Sequence, residues 1–291
     1  MPRVVFLGTS AFGGDVLRGL VRQPGIEIVA VVTQPDRPSG RGRREQSPPA
    51  ALAARELGLR LVQTADASTE PVEADAGAVV AFGQIVRPPL LGAYPLYNLH
   101  PSLLPRWRGA APVERAIMAG DAETGACVIA VTAELDAGPV HGCVPFPIRP
   151  EDDAGAVRGR ALELGTPLLA AALRGETTGV EQAEAGVTYA HKIEAADRRI
   201  DWSEAAAGAA NRVRALSPHI GARCELDGEP VTVWRARAGE GMGVPGTVSP
   251  PLRVACGEGV LEVLELQAAG RRRMGVADYL RGLRTAPERA A

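Results

Sequence analysis

Arg3-Val4-Val5-Phe6-Leu7-Gly8, running on through Thr9-Ser10-Ala11-Phe12-Gly13-Gly14 into the segment Asp15 to Arg22, is the stretch that decides the fold. Its first six residues are a short, β-branched apolar run that stops at a glycine, the pattern of a buried strand. The period then changes, and Val16, Leu17, Leu20 and Val21 fall on one helical stripe. Ile26 to Thr33 is a second near-continuous apolar run. Apolar strands that do not alternate, separated by a helix, predict βαβ units in a sheet covered on both faces. Ala50 to Leu57 continues the pattern as a helix and Gly77 to Phe82 as a central strand. Tyr97 to His100, Ala126 to Thr132 and Val140 to Val144 complete the strands. The first half is expected to be an α/β, Rossmann-like open sheet of parallel type, with ligands at the carboxyl ends of its strands.

The pattern changes after Gly175. Glu176 to Gly186 is polar and Ile193 to Asp201 charged, which reads as a connector. A helix over Glu204 to Leu216 follows, then short β-like runs at 222–226, 231–237, 246–248, 252–255 and 260–266. Turns at Gly228, Gly239 and Gly257 between them predict a small, OB-like β-barrel. The expected boundaries are a first domain over 1–180, a linker over 181–202 and a second domain over 203–291.

Composition narrows the class. The 291 residues are 46% hydrophobic and 23% charged, which excludes disorder, collagen and coiled coil for the bulk of the chain. The formal net charge of −2 argues against a surface that binds nucleic acid all over. Yet all but one of the 32 basic residues are Arg, Lys192 being the exception, and guanidinium groups suit phosphate. Cys127, Cys143, Cys224 and Cys256 show no zinc-knuckle spacing, so reduced, mostly buried thiols are expected, with no metal. No stretch approaches the roughly 20 apolar residues that span a bilayer, which reads as a soluble, cytoplasmic protein.

Four segments carry the chemistry. Gly8 to Gly14 is neither a P-loop nor a dinucleotide fingerprint, so its glycines read as packing residues. Gln34 to Pro49 holds Arg37, Arg41, Arg43 and Arg44 against Asp36 and Glu45. Its prolines and glycines predict an exposed, mobile loop without regular structure, placed after a strand's carboxyl end where phosphate contact is natural. The densest signal is Asn98-Leu99-His100-Pro101-Ser102-Leu103-Leu104-Pro105-Arg106-Trp107-Arg108-Gly109-Ala110-Ala111-Pro112. In a strand Asn98 and His100 share a face, and Pro101 ends the ladder, so both stand at the strand's end. Asp136, in Leu135-Asp136-Ala137-Gly138-Pro139, either shapes its own turn or meets His100 and Asn98 across the sheet.

These stretches resemble the folate-dependent formyltransferases. Asn-x-His, Ser-Leu-Leu-Pro and a later Asp are shared across that family. Tyr189–Lys192 and Arg199–Trp202 match as well, and the basic loop, Arg108 to Pro112 and the C-terminal segment Leu266–Leu280 point to its branch acting on methionyl-tRNA. His-Pro-Ser-Leu-Leu-Pro also occurs in glycinamide ribonucleotide transformylases, and Gly13-Gly14 departs from the usual opening.

The resemblance implies that Asn98 and His100 hold a formyl oxygen while Asp136 orients His100 and relays protons. It implies 10-formyltetrahydrofolate as co-substrate, in a pocket lined near Gln84, Ile85 and Val86, by Ser102, Leu103, Leu104 and Pro105, and by the Asp136 turn. It further implies initiator methionyl-tRNA as acceptor, met by Arg37, Arg41, Arg43 and Arg44 and by Arg271, Arg272 and Arg273, in a monomeric enzyme. The alternatives are a formyltransferase on another amine, such as an amino-sugar nucleotide or glycinamide ribonucleotide, and a non-catalytic RNA- or folate-binding protein.

Overall fold

The structure, a computed structural model, describes residues 1–39, 44–69 and 71–291. Its main sheet is built from β1 (Arg3–Gly8), β2 (Glu27–Thr33), β3 (Leu61–Gln63), β4 (Ala76–Val80), β5 (Leu96–His100), β6 (Glu123–Ala130) and β7 (Val140–Pro147). The spatial order is β7-β6-β5-β4-β1-β2-β3. Pairs β1–β2, β1–β4, β2–β3 and β4–β5 are parallel, and β5–β6 is antiparallel. Val4 to Leu7 are buried, which is why β1 carries no polar alternation.

Helix α1 (Ala11–Val21) starts at Ser10, whose hydroxyl accepts from the Gly13 N–H at 3.3 Å. A Cβ on Gly13 would stand 2.8 Å from the Val80 carbonyl oxygen. Gly14 is similarly close, at 3.2 Å, to the Pro49 oxygen that begins α2 (Pro49–Glu56). The glycines thus let α1 lie close on its neighbours, as the packing reading of this segment expects.

Three expectations need correction. The Arg-rich segment is not without regular structure: Arg37–Ser39 pairs antiparallel with Arg44–Gln46. Asp36 anchors its base, accepting from Gln63 Nε2 at 2.6 Å and Ser47 Oγ at 3.0 Å, and these bonds hold its carboxyl below the ordinary range. Strand pairing there outweighs the turn-forming composition. Second, after α3 (Pro112–Met118) the chain forms a 20-residue helix, α4 (Ala154–Leu173), where sequence periodicity gave no element. Its alanines, glycines and leucines spread around the whole circumference, so no single apolar stripe marks it. Third, Cys127 on β6 and Cys143 on β7 are joined as a disulfide. Sequence spacing does not show that neighbouring strands place them side by side. Cys224 and Cys256 are free and buried, and burial pushes the Cys224 thiol up to about 12.

The chain divides into two compact units, one holding 1–112, 124–146 and 158–189, the other 113–123, 147–157 and 190–291. The second unit carries α5 (Ala206–Leu216), β8 (Ala222–Leu226), β9 (Glu229–Gly239), β10 (Val248–Ser249), β11 (Arg253–Ala255), β12 (Val260–Ala268), β13 (Met274–Gly275) and α6 (Val276–Arg281). The strands run antiparallel in the order β8-β9-β12-β11-β10, with β13 on β12. The terminal segment joins both edges, since Ala290 bridges Leu226 and Arg289 bridges Thr247. The sheet therefore closes around Val213, Leu216, Val231, Val233, Leu261 and Leu266, a small barrel that leaves few strand edges unpaired. Among the described residues no helix is long and apolar enough to cross a membrane.

Candidate active site

β5 brings the first two site residues together. Strand alternation puts Asn98 and His100 on one face, and the strand ends at His100. The turn after β6 supplies the third. Asp136 Oδ1 accepts from Asn98 Nδ2 at 3.2 Å, and Oδ2 lies 3.5 Å from His100 Nδ1. Oδ2 also accepts from the Gly109 N–H at 2.8 Å. Of the two readings of Asp136, the carboxylate that meets Asn98 and His100 is the one realised.

The centre is almost closed to solvent, the side chains of His100 and Asp136 being 4% and 13% exposed. The other ring nitrogen, His100 Nε2, stands 2.8 Å from the Trp107 carbonyl oxygen. The ring therefore lies between a carbonyl and a carboxylate. A neutral imidazole can donate to only one of them, whereas the imidazolium donates to both. Trp107 itself has φ 65° and Asp136 φ 48°, both in the left-handed region that non-glycine residues rarely occupy. Such conformations persist where the surroundings over-determine them, and they concentrate at functional sites.

Two residues that sequence reasoning passed over supply that determination. Gln182 Nε2 donates to the carbonyls of Asp136 and Gly138, each at 2.8 Å. Its Oε1 accepts from Arg108 Nε at 3.1 Å and Nη2 at 2.8 Å. Arg108 is buried, and its backbone N–H donates to the Thr188 carbonyl at 2.9 Å. Arg108 opens the Arg108–Pro112 motif, whose spacing gives it no role of its own. Gln182 lay in a stretch read as connector, and no periodicity or spacing marks it.

The remaining site residues are placed less uniformly. Ser102 is fully buried and its hydroxyl donates inward to the Arg106 carbonyl at 2.7 Å, so it shapes the loop rather than lining a pocket with its side chain. Leu103 packs on β6 at Gly125, and Leu103, Leu104 and Pro105 are half-buried. Gln84 is pinned at both ends, accepting from the Ala67 N–H at 3.0 Å and donating to the Thr64 carbonyl at 2.7 Å. Ile85 is 70% exposed, whereas Val86 packs against a core cluster. Gln84 and Ile85, with Gln34, Arg37, Gly83 and Arg87, line a cavity of about 350 Å³ beyond the carboxyl end of β4.

Of the basic loop, Arg41 and Arg43 lie outside the described residues, Arg44 is described by its backbone in the hairpin, and Arg37 is exposed at the cavity. In the second unit Arg273 binds Glu265 at 2.7 Å and lies over the Trp234 ring, while Arg271 and Arg272 are exposed. Among the described residues no group of three or more His, Cys, Asp or Glu side chains is placed to hold a metal ion.

Comparison with known proteins shows the family and the fold. Residues 2–173 match the family described as formyl transferase, and residues 192–284 match its C-terminal domain. A methionyl-tRNA formyltransferase of Paracoccus denitrificans is 43% identical over 292 residues, covering 97% of either chain. Among solved structures, an N-formyltransferase of Helicobacter canadensis in complex with folinic acid and dTDP-3-aminofucose superposes with a TM-score of 0.65 at 14% identity, over 90% of this chain and 98% of that one. HypX of Aquifex aeolicus in complex with tetrahydrofolic acid gives 0.64 at 19% identity over 96% of this chain, which spans about half (47%) of that longer one. At such identities the two structures speak for the fold.

Proposed function

The chain belongs to the formyl transferase family, and from that premise we propose that it transfers a formyl group from 10-formyltetrahydrofolate to the free amino group of initiator methionyl-tRNA, in support of translation initiation in the cytoplasm. The observation that carries the chemistry is the closed Asn98–Asp136–His100 constellation. The near-full-length likeness to methionyl-tRNA formyltransferases carries the choice of acceptor.

The reaction makes demands that these groups meet. The amine nitrogen attacks the formyl carbon, a C–N bond forms, and the carbonyl oxygen takes up negative charge. The bond to N10 then breaks, and N10 leaves with a proton that the attacking nitrogen gives up. The oxygen needs donors and the protons need a carrier. Asn98 Nδ2 has two N–H groups and gives one to Asp136, which leaves one for the oxyanion. His100 Nε2 faces the Trp107 carbonyl oxygen, and in this reading His100 is the second donor to the formyl oxygen. Asp136 holds both donors in register and passes the proton between nitrogens. No covalent enzyme intermediate is needed.

The folate would lie along the 84–86 and 102–105 segments, offering its ring an exposed Ile85 and backbone hydrogen bonds. The arginines at Arg37, Arg41, Arg43 and Arg44 would face acceptor-stem phosphates, and Arg271 and Arg272 the RNA backbone. Arg273, already paired with Glu265, contributes less. The test is one assay with labelled 10-formyltetrahydrofolate and, in parallel, initiator methionyl-tRNA, elongator methionyl-tRNA and an amino-sugar nucleotide. Label in the initiator alone is the expected result; transfer to the sugar nucleotide and not to RNA overturns the reading.

A further inference from the structure

Asp136 is a non-glycine residue in left-handed backbone at the centre of a nearly dry site, and something must keep it there. Its carboxylate bonds cannot do so alone, because they fix the side chain and leave the peptide on either side free to turn. The peptide groups are held from outside the sheet. A single carboxamide, that of Gln182, donates to the carbonyl of Asp136 itself and to that of Gly138 two residues on. Gly138 reinforces the fit, since a Cβ there would collide with the Ala130 carbonyl oxygen.

The carboxamide is itself oriented. Two carbonyl acceptors sit on one side of it and the buried Arg108 guanidinium on the other. Only one of its two flips satisfies all of these groups, so the donor end is bound to face the turn. We propose that Gln182 is a positioning residue for formyl transfer: held by Arg108, it locks the Asp136–Gly138 turn so that the Asp136 carboxylate faces Asn98 and His100. The inference rests on the reading of this centre as a formyl-transfer site. It makes a stretch read as connector part of the catalytic machinery, through the residue that it orients and without contact to substrate. Arg108 belongs to the same device: Gly109, the next residue, donates its N–H to Asp136, so one loop reaches the carboxylate from the front and, through Gln182, the turn from behind.

Two variants separate positioning from space-filling. Gln182→Glu keeps the shape and an acceptor for Arg108, yet replaces both N–H donors by oxygen facing two carbonyls. Gln182→Met keeps the bulk and loses every hydrogen bond. Displacing a reacting group by an ångström costs up to about 100-fold in rate, so each variant is expected to lose about 10- to 100-fold in kcat, with KM for folate and acceptor within about twofold. The pH profile of kcat is expected to shift along with the loss, because the geometry between Asp136 and His100 changes. A residue that only packs would lower the melting temperature and leave kcat per folded molecule and its pH profile in place. Either variant, folded, with kcat within about threefold of wild type and an unshifted profile overturns the proposal. Wild-type protein that transfers no formyl group to any acceptor overturns instead the reading on which it rests.

Discussion

Arg108 in the first unit and Arg271 with Arg272 in the second show two opposite uses of the same side chain. Arg108 is buried, its guanidinium spent on Gln182 and, at 3.8 Å, on Glu134. It belongs to a polar network in which Asp136, Asn98, His100 and Gln182 also have partners. Arg271 and Arg272 stand exposed on the barrel beside Arg273, which Glu265 neutralises. Charge counted along the chain does not distinguish these cases. A buried guanidinium with its donors used is part of the scaffold, because leaving such a network half-satisfied is costly. An exposed guanidinium is available to phosphate at a contact strength that salt screens. The near-zero net charge thus says little about the partner.

If the comparison holds, effects should fall in order from the saturated centre outward. His100→Ala and Asn98→Ala each remove a proposed oxyanion donor, and steady-state assays should show a loss of about 10²–10³ in kcat with the fold intact. Near-normal turnover in either would break the link between network and chemistry.

A smaller effect belongs to a structural pair in the second unit. Arg115 grips Asp197 at 2.8 and 2.7 Å, Glu194 adds a backbone N–H at 2.9 Å, and these bonds hold the Asp197 carboxyl below its ordinary range. A lowered carboxyl contributes stability that is present above its unfolded-state value and lost as pH falls through the folded one. Asp197→Asn should cost about 1–2 kcal/mol at neutral pH by denaturant titration, and the gap to wild type should narrow as pH falls below the ordinary carboxylate range. A gap that persists unchanged in acid would show that the pair acts through something other than charge.

The smallest effect is at the barrel surface. Arg271→Ala should leave kcat unchanged and lower the slope of log affinity for initiator RNA against log salt by about one. An unchanged slope removes Arg271 from the interface and leaves the second unit's role to other residues.

Much of this was legible in the sequence, for identifiable reasons. β1, β2 and β4 announce themselves because strands buried on both faces carry unbroken apolar runs. Asn98 and His100 follow from alternation and from Pro101. Asp136 was ambiguous because its partners lie 38 and 36 positions back; the antiparallel register sets Ala130 beside Tyr97, at the start of β5, and the turn must fold back along β5 to reach Asn98 and His100. α4 was hidden by small residues on all sides, and the Cys127–Cys143 link by strand adjacency. Gln182 could not be found at all, since a single glutamine in a polar stretch gains its meaning from two carbonyls 44 and 46 positions away.

The central claim is that the carboxylate of Asp136 organises the transfer of a formyl group. Its most direct test is the initial rate of labelled formyl transfer by purified Asp136→Ala at saturating 10-formyltetrahydrofolate and initiator methionyl-tRNA, beside wild type of equal melting temperature. The account predicts a loss of at least about 100-fold, whereas a rate within about threefold of wild type would contradict it.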